Sequence, residues 1–279
     1  MTEKMFINFY EKVDGIGGFI RGIIAQLYYA TKDKKLYKIN IEYLKNIQFN
    51  TNFFNIDKMN TLLDIDNKER TESEYDIDFD IDDYLITPLS RQIYNNINFG
   101  NFNKCLPNII NVGVHIRRGD VYYRSIEDDI YRNKYYGSSK KSAQRIDLKR
   151  RFLSNEEFLP ILKFLNETYG VDKIMFHIFS VGESHEFEEL HEITNKIMYI
   201  SDPDYQETYH KKINGTDEMK ILMSTLIHCD ILICSKSALS LSCALLSQGH
   251  VIFPKWNNIK CDKWLNFNNY TEIKNKIVV

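Results

Sequence analysis

The sequence predicts an α/β protein in which strands and helices alternate along the chain. Two apolar runs, Ile109–Ile116 and Lys173–Phe179, are each of strand length and end abruptly in polar residues. A third region, 217–246, has the pattern of a helix, a short apolar strand, a serine-rich turn and a second helix. Apolar strands that lead through polar turns into helices are typical of parallel βα units.

Composition and length are consistent with this class. The 279 residues suffice for one large domain or two ordinary ones, and 43% apolar content excludes disorder as the main state. The net charge of −2 gives no support for a general nucleic-acid binder, so we expect no nucleic-acid partner. Any anion site must therefore be local.

The cysteines and the apolar segments predict a cytoplasmic protein. Five scattered cysteines fit neither a disulfide framework nor a Cys-x-x-Cys metal site, which favours free thiols in a reducing compartment. The N-terminus is charged throughout and lacks the apolar core of a signal peptide. The longest apolar region, 231–253, is interrupted by Lys236 and other polar residues, so we expect no stable membrane insertion.

The first predicted unit is a strand, Met5–Tyr10, followed by the glycine-rich turn DGIGGFIRG and an apolar helix. Glycines at such a turn let the backbone and the helix N-terminus approach a nucleotide. The spacing is not G-x-G-x-x-G, and a tight turn with close helix packing explains the glycines equally well.

Residues 32–108 contain one distinctive pattern, the strictly alternating run Asp76–Asp83. Asp78 and Asp80 form an Asp-x-Asp pair of the kind that binds a divalent cation and a donor diphosphate in many sugar transferases. A strand with all its acids on one face is also typical of a solvent-facing sheet edge. We favour the edge strand, because functional Asp-x-Asp pairs follow a strand and here the repeat is itself the strand.

The central feature of the chain is NVGVHIRRGD, residues 111–120. Arg117 and Arg118 follow a buried strand and point to opposite faces, so one can clamp a diphosphate while the other, with Asp120, braces the turn. Considered alone, the arginines are better explained as a solvated salt-bridge cluster.

The segment that follows, residues 121–151, is polar and predicts an active-site loop that contains Glu127 and Asp128. A helix with an N-cap is predicted from Ser154, and an acidic helix from Glu183. His177 lies within the second strand, where a hydrogen-bonded core histidine is the favoured interpretation.

The last dense region contains the turn Ser235-Lys236-Ser237 between a strand and a helix. Its hydroxyls, its backbone N–H groups and the helix dipole can bind phosphate, although ordinary N-capping explains the turn by itself. Gly249 is predicted to be the C-cap of the helix. Together with the arginines, the turn predicts a diphosphate site.

Four stretches together resemble the fucosyltransferases that share the His-x-Arg-Arg-Gly-Asp signature, and most closely the α1,2-fucosyltransferase family. The stretches are DGIGGFIRG, VGVHIRRGD, FHIFSVGES, and DEMKILMSTLIHCDILICSKSALSLSCALL followed by VIFPKW. The resemblance implies a GT-B type fold of two Rossmann-like lobes with a cleft between them. Residues 1–108 would form the acceptor-side lobe and residues 109–279 the nucleotide-sugar lobe.

The same resemblance implies an inverting, metal-independent transfer of fucose or a related deoxyhexose from a GDP-sugar to a hydroxyl of a glycan acceptor, in α1,2 linkage. The GDP-sugar is the donor substrate, and no metal or other cofactor is implied. Arg117 or Arg118 would contact the β-phosphate. The other donor-binding residues would be His115, Asp120, Ser235, Lys236 and Ser237, with Gly17, Gly18 and Arg21 from the N-terminal lobe.

The general base and the sugar stay open. Glu127 is our first choice for the base, followed by Asp128 and Asp14. The chain has Phe-Ser-Val-Gly at 179–182 where relatives have Phe-Ser-Asp-Asp, and Cys-Ser-Lys-Ser-Ala at 234–238 where they have Asn-Ser-Ser-Phe-Ser. Alternatives are a metal-dependent GT-A type transferase that uses Asp78 and Asp80, and a non-catalytic GDP-sugar or glycan-binding protein.

Overall fold

The computed structural model describes residues 91, 103–118, 121, 150–180, 187–193, 217–256, 259 and 261–277. Most of the described residues belong to the predicted nucleotide-sugar lobe, residues 109–279. Several predictions from the sequence lie outside the described residues: the N-terminal glycine turn, the Asp-x-Asp pair and the polar loop. The residues concerned are Asp14, Gly17, Gly18, Arg21, Asp78, Asp80, Asp120, Glu127 and Asp128.

Strands and helices alternate, as predicted. The described strands are β1 (Ile110–Ile116), β2 (Ile174–Ser180), β3 (Ile231–Ile233), β4 (His250–Phe253) and β5 (Leu265–Asn266). The described helices are α1 (Asn155–Tyr169), α2 (Glu188–His191), α3 (Asp217–His228), α4 (Ala238–Leu246) and α5 (Tyr270–Lys276).

The strands form one parallel sheet in the order β2-β1-β3-β4-β5. The α/β prediction is therefore confirmed at the level of a five-stranded parallel sheet. After β1 the chain adds β2 on one side, and it later returns to add β3 on the other side of β1. This reversal makes the gap between β1 and β3 a topological switch point, where open α/β sheets bind ligands beyond the carboxyl ends of their strands.

One face of the sheet carries the main apolar core. The residues of β1 that point to it, Val112, Val114 and Ile116, are fully buried together with Phe158 and Leu162 of α1. Burial of these alternate strand positions against an amphipathic helix is the principal stabilising contribution here.

Helix α1 begins as the sequence predicts. Ser154 is the N-cap, and Glu157 accepts from the Ser154 backbone N–H at 2.7 Å, which completes a capping box. Pro160 is the sixth residue of the helix, and its missing N–H removes one intrahelical hydrogen bond. The helix therefore starts at a fixed residue just after the polar segment.

The opposite face of the sheet packs against α3 and α4. Gly113 of β1 is close to this layer, because a Cβ at this position would lie 2.9 Å from both Cys229 Sγ and Leu226 Cδ2. The glycine thus allows α3 and the residue that follows it to approach the centre of the sheet.

The prediction that Gly249 caps a helix is wrong. Helix α4 ends at Leu246, and Ser247 is its C-cap. A Cβ at position 249 would lie 2.3 Å from the Cys229 carbonyl oxygen and 2.4 Å from that of Asp230. Gly249 is needed because β4 enters the sheet in close contact with this backbone.

The C-terminal part completes the domain. Strand β5 and helix α5 were not predicted from the sequence. Leu265 of β5, Ile273 of α5 and Ile277, the C-cap of α5, join the main core. In the described region near the predicted acidic helix, α2 is a single turn that begins at Glu188. No described helix combines the length and apolar character that a membrane span requires.

Candidate functional site

The two arginines that follow β1 point to opposite faces of the sheet. Arg117 is half-buried and faces α4, whereas Arg118 is buried and faces the start of α1. This division follows from the two-residue period of an extended chain. The prediction that the two side chains have different roles is consistent with these contacts.

Arg117 reaches the N-terminus of α4. Its Nη1 donates to Ser237 Oγ at 3.4 Å, and the same oxygen accepts from the Leu239 backbone N–H at 3.2 Å. Ser237 is the N-cap of α4, so the capping interpretation of the serine turn is confirmed. The cap also brings a guanidinium group to a helix N-terminus, which is the arrangement that binds anions.

His115 contacts the serine turn through hydrogen bonds. It is buried, and its Nδ1 lies 2.6 Å from Ser240 Oγ and 3.3 Å from Ser235 Oγ. The Ser235 backbone N–H donates to Ser240 Oγ at 3.1 Å. Ser240 Oγ can still donate to Nδ1 of His115 or accept from it, and the tautomer of the imidazole decides which.

His115 is held in its neutral form. Burial, with a smaller contribution from the positive charge of Arg117, lowers the pKa of His115 from 6.5 to about 3. A neutral imidazole can form the Ser240 hydrogen bond in either direction. His115 therefore acts on the site by fixing the turn, and it adds no charge to the site near neutral pH.

This pKa predicts an acid-sensitive fold. In the unfolded chain the pKa of His115 is near 6.5 and in the folded chain about 3, so protons favour the unfolded state as the pH falls below 6.5. Between pH 7 and pH 5 we expect the free energy of unfolding to fall by about 2 kcal/mol more in the wild type than in His115→Gln. Urea unfolding at both pH values measures this difference, and exposed His250→Gln is the control. Equal pH dependence of the wild type and His115→Gln would contradict the assignment.

Arg118 joins three segments of the fold. Its Nη1 donates to the Leu153 carbonyl at 2.7 Å, and its Nη2 donates to Asn155 Oδ1 at 2.5 Å. The guanidinium carbon lies 4.9 Å from the ring centre of Phe152 and 5.7 Å from that of Phe187. A group that is 5% exposed and held in this way braces the end of β1 against α1.

The electrostatics of the switch point favour an anion. Arg117 and Lys236 supply two cationic side chains, both half-buried, and the α4 N-terminus adds the equivalent of about half a positive charge. No residue in the first turn of α4 is acidic. The positive charge is therefore local in a chain whose net charge is −2.

Comparisons with known proteins add no relative. No family model matches this chain, and neither a curated protein nor a solved structure matches it.

The structure brings together five of the predicted donor-site residues and adds two that the sequence analysis missed. His115, Arg117, Ser235, Lys236 and Ser237 lie at or beside the β1–β3 switch point. Ser240 was missed because a serine in an apolar helix carries no signal of its own, and Asn155 because its partner Arg118 is distant in sequence. Arg118, the other described residue of the predicted donor site, instead faces the start of α1. The remaining predicted residues lie outside the described part of the chain.

Proposed function

We propose that this chain is an inverting glycosyltransferase that moves fucose or a related deoxyhexose from a GDP-sugar to a hydroxyl of a glycan acceptor. One observation carries the proposal. Arg117, at the end of β1, and Ser237, at the start of α4, meet at the topological switch point of a parallel sheet. Phosphate groups of nucleotides bind at this position in open α/β sheets, and the arginine belongs to the His-x-Arg-Arg-Gly-Asp signature.

In this proposal the charged groups act on the leaving diphosphate. The acceptor oxygen attacks the anomeric carbon, the bond from that carbon to the β-phosphate oxygen breaks, and GDP leaves with the electron pair. Negative charge grows on the diphosphate as the bond breaks, and a fixed guanidinium stabilises it without a metal. Arg117 would take this role, assisted by Lys236 and the α4 N-terminus, while Arg118 would hold the end of β1 in place.

The remaining parts of the machinery would come from the rest of the chain. In a two-lobed GT-B arrangement the described sheet would be the donor lobe, and residues 1–108 would form the acceptor lobe with Gly17, Gly18 and Arg21 at the cleft. Glu127, Asp128 or Asp14 would accept the proton of the attacking hydroxyl. Such a base is required for transfer to the acceptor but not for binding of the donor. Donor binding can therefore be tested separately.

A thermal-shift panel of nucleotides and nucleotide sugars tests the proposal. At concentrations about 100 times Kd, we expect GDP and a GDP-deoxyhexose to raise Tm by roughly 5–10 °C, because a ligand that binds only the folded state stabilises it. UDP and ADP should give much smaller shifts. No stabilisation by any guanine nucleotide would contradict the proposal.

Turnover separates the alternatives. Release of GDP from a GDP-deoxyhexose should depend on a glycan acceptor and should persist with a chelator of Mg²⁺ and Mn²⁺. Binding of GDP without turnover on any acceptor would favour a non-catalytic binding protein. Loss of turnover that Mn²⁺ or Mg²⁺ restores would favour a metal-dependent transferase that uses Asp78 and Asp80.

A further inference from the structure

A second group of reactive side chains lies toward the amino ends of the strands, whereas the arginine site lies beyond their carboxyl ends. Cys105 precedes β1, Cys229 lies between α3 and β3, and His177 is in β2. One donor atom from each of the three lies within 4.8 Å of the other two. Three segments distant in sequence therefore bring soft ligand atoms to one point.

The sheet leaves room for these atoms. Gly113 pairs with His177 in the β1–β2 register, so the two residues are neighbours on the same face of the sheet. A Cβ at Gly113 would lie only 2.9 Å from Cys229 Sγ. The glycine thus allows the sulfur to lie directly against the sheet beside the histidine.

The two sulfur atoms have a separation suited to a shared cation. Cys105 Sγ and Cys229 Sγ are 3.7 Å apart. In a tetrahedral zinc site with Zn–S bonds of 2.3 Å, two thiolates are about 3.8 Å apart. A disulfide requires about 2.05 Å, so its formation would move the two sulfur atoms much further than metal binding would.

The tautomer of the histidine is the one that a metal ligand at Nδ1 requires. Its Nε2 lies 3.0 Å from Asn111 Oδ1, while Asn111 Nδ2 donates to the carbonyls of Leu106 and Ile109 at 2.9 and 2.8 Å. Because these bonds identify Oδ1 as the acceptor facing His177, Nε2 carries the proton and Nδ1 carries the lone pair. A ligating histidine held by a hydrogen bond at its other nitrogen is the usual arrangement in metal sites.

The groups around the three side chains also suit a bound cation. Cys105 is half-buried, so water can reach the site and fill a fourth position. The Asp230 carboxylate accepts from the Asn111 backbone N–H at 2.8 Å and supplies negative charge at this edge. The other contact of the Cys105 thiol is the Thr225 carbonyl, at 3.6 Å, and it is weak enough to be exchanged for a metal bond.

We propose that Cys105, Cys229 and His177 bind a thiophilic cation of the Zn²⁺ type. Two thiolates and an imidazole are ligands that such an ion prefers, and its binding releases the thiol protons. The ion would tie the segment before β1 to the end of α3 and to β2. Gly113 and Arg117 are four residues apart, so about 13 Å of strand separates this site from the arginine site.

The test uses the full chain, reduced and stripped of metal, and titrated with Co²⁺ and then Zn²⁺. We expect one ion per chain, a sulfur-to-cobalt charge-transfer band, and a rise in Tm with Zn²⁺. Cys105→Ser should weaken Zn²⁺ binding by about 100-fold or more, because a hydroxyl replaces a thiolate. Cys261→Ser, which changes another half-buried cysteine outside the group, is the matched control and should bind as the wild type does.

A second variant keeps the test independent of folding defects. His177→Gln can still donate a hydrogen bond to Asn111, and it should retain the sulfur-to-cobalt band with a changed visible spectrum and weaker binding. Two results would overturn the proposal: Zn²⁺ affinity in the wild type no higher than in Cys105→Ser, or a Cys105–Cys229 disulfide and no metal in protein isolated with its thiols blocked.

Discussion

Replacing Arg117 with alanine should weaken GDP binding about 100-fold and leave the fold intact. The side chain is half-buried and extends to the N-terminus of α4, where it donates to the Ser237 hydroxyl. Charge-assisted hydrogen bonds to a diphosphate contribute about 1.5–3 kcal/mol each, so loss of the guanidinium costs about 3 kcal/mol of binding. Isothermal calorimetry with GDP measures the affinity, and urea unfolding measures the stability.

The choice of ligands and variants shows what Arg117 recognises. Because the diphosphate is the proposed partner, inorganic pyrophosphate should lose affinity by a factor similar to that for GDP. Arg117→Lys should recover part of the affinity, since a lysine keeps the charge and loses the planar fork. Exposed Arg150→Ala is the control and should bind normally. Unchanged GDP affinity in Arg117→Ala would exclude this residue from the donor site.

Replacing Arg118 with alanine should destabilise the fold by about 3 kcal/mol. The buried Leu153 carbonyl and the partly buried Asn155 Oδ1 would lose their donor, and a buried acceptor left in this way costs about 1–3 kcal/mol. The stacking of the guanidinium on Phe152 and Phe187 would be lost as well. Chemical denaturation at pH 7 measures the change in the free energy of unfolding.

Two further variants separate packing from hydrogen bonding at Arg118. Arg118→Met retains much of the apolar contact and removes the donors, so its stability should lie between those of Arg118→Ala and the wild type. Arg150→Ala should change stability by less than about 0.5 kcal/mol, as exposed substitutions usually do. If Arg118→Ala were as stable as Arg150→Ala, the bracing role would be wrong.

Much of the described fold could be predicted from local sequence patterns. The apolar alternation before Arg117 predicts β1, the Ser154 and Glu157 pair predicts the start of α1, and the serine turn predicts the N-cap of α4. Each of these features depends on residues within one turn or one strand. Local periodicity and capping chemistry are sufficient to identify them.

Features that depend on contacts between distant segments were either not predicted or predicted wrongly. Gly249 has the local signal of a helix C-cap, yet its backbone is fixed by the carbonyls at 229 and 230. The group of Cys105, His177 and Cys229 has no recognisable spacing, because its members meet only when β1, β2 and α3 pack together. Sequence spacing carries no information about such a group.

The sequence by itself determined that two arginines follow a buried strand and that, on an extended chain, they face opposite ways. Only the tertiary structure decided which face each one meets. Arg117 meets α4 because β3 pairs beside β1 and carries the serine turn to the same edge, whereas Arg118 meets α1 on the other side of the sheet. The physical reason is that strand order and helix placement result from burial across the whole domain, which no single segment encodes.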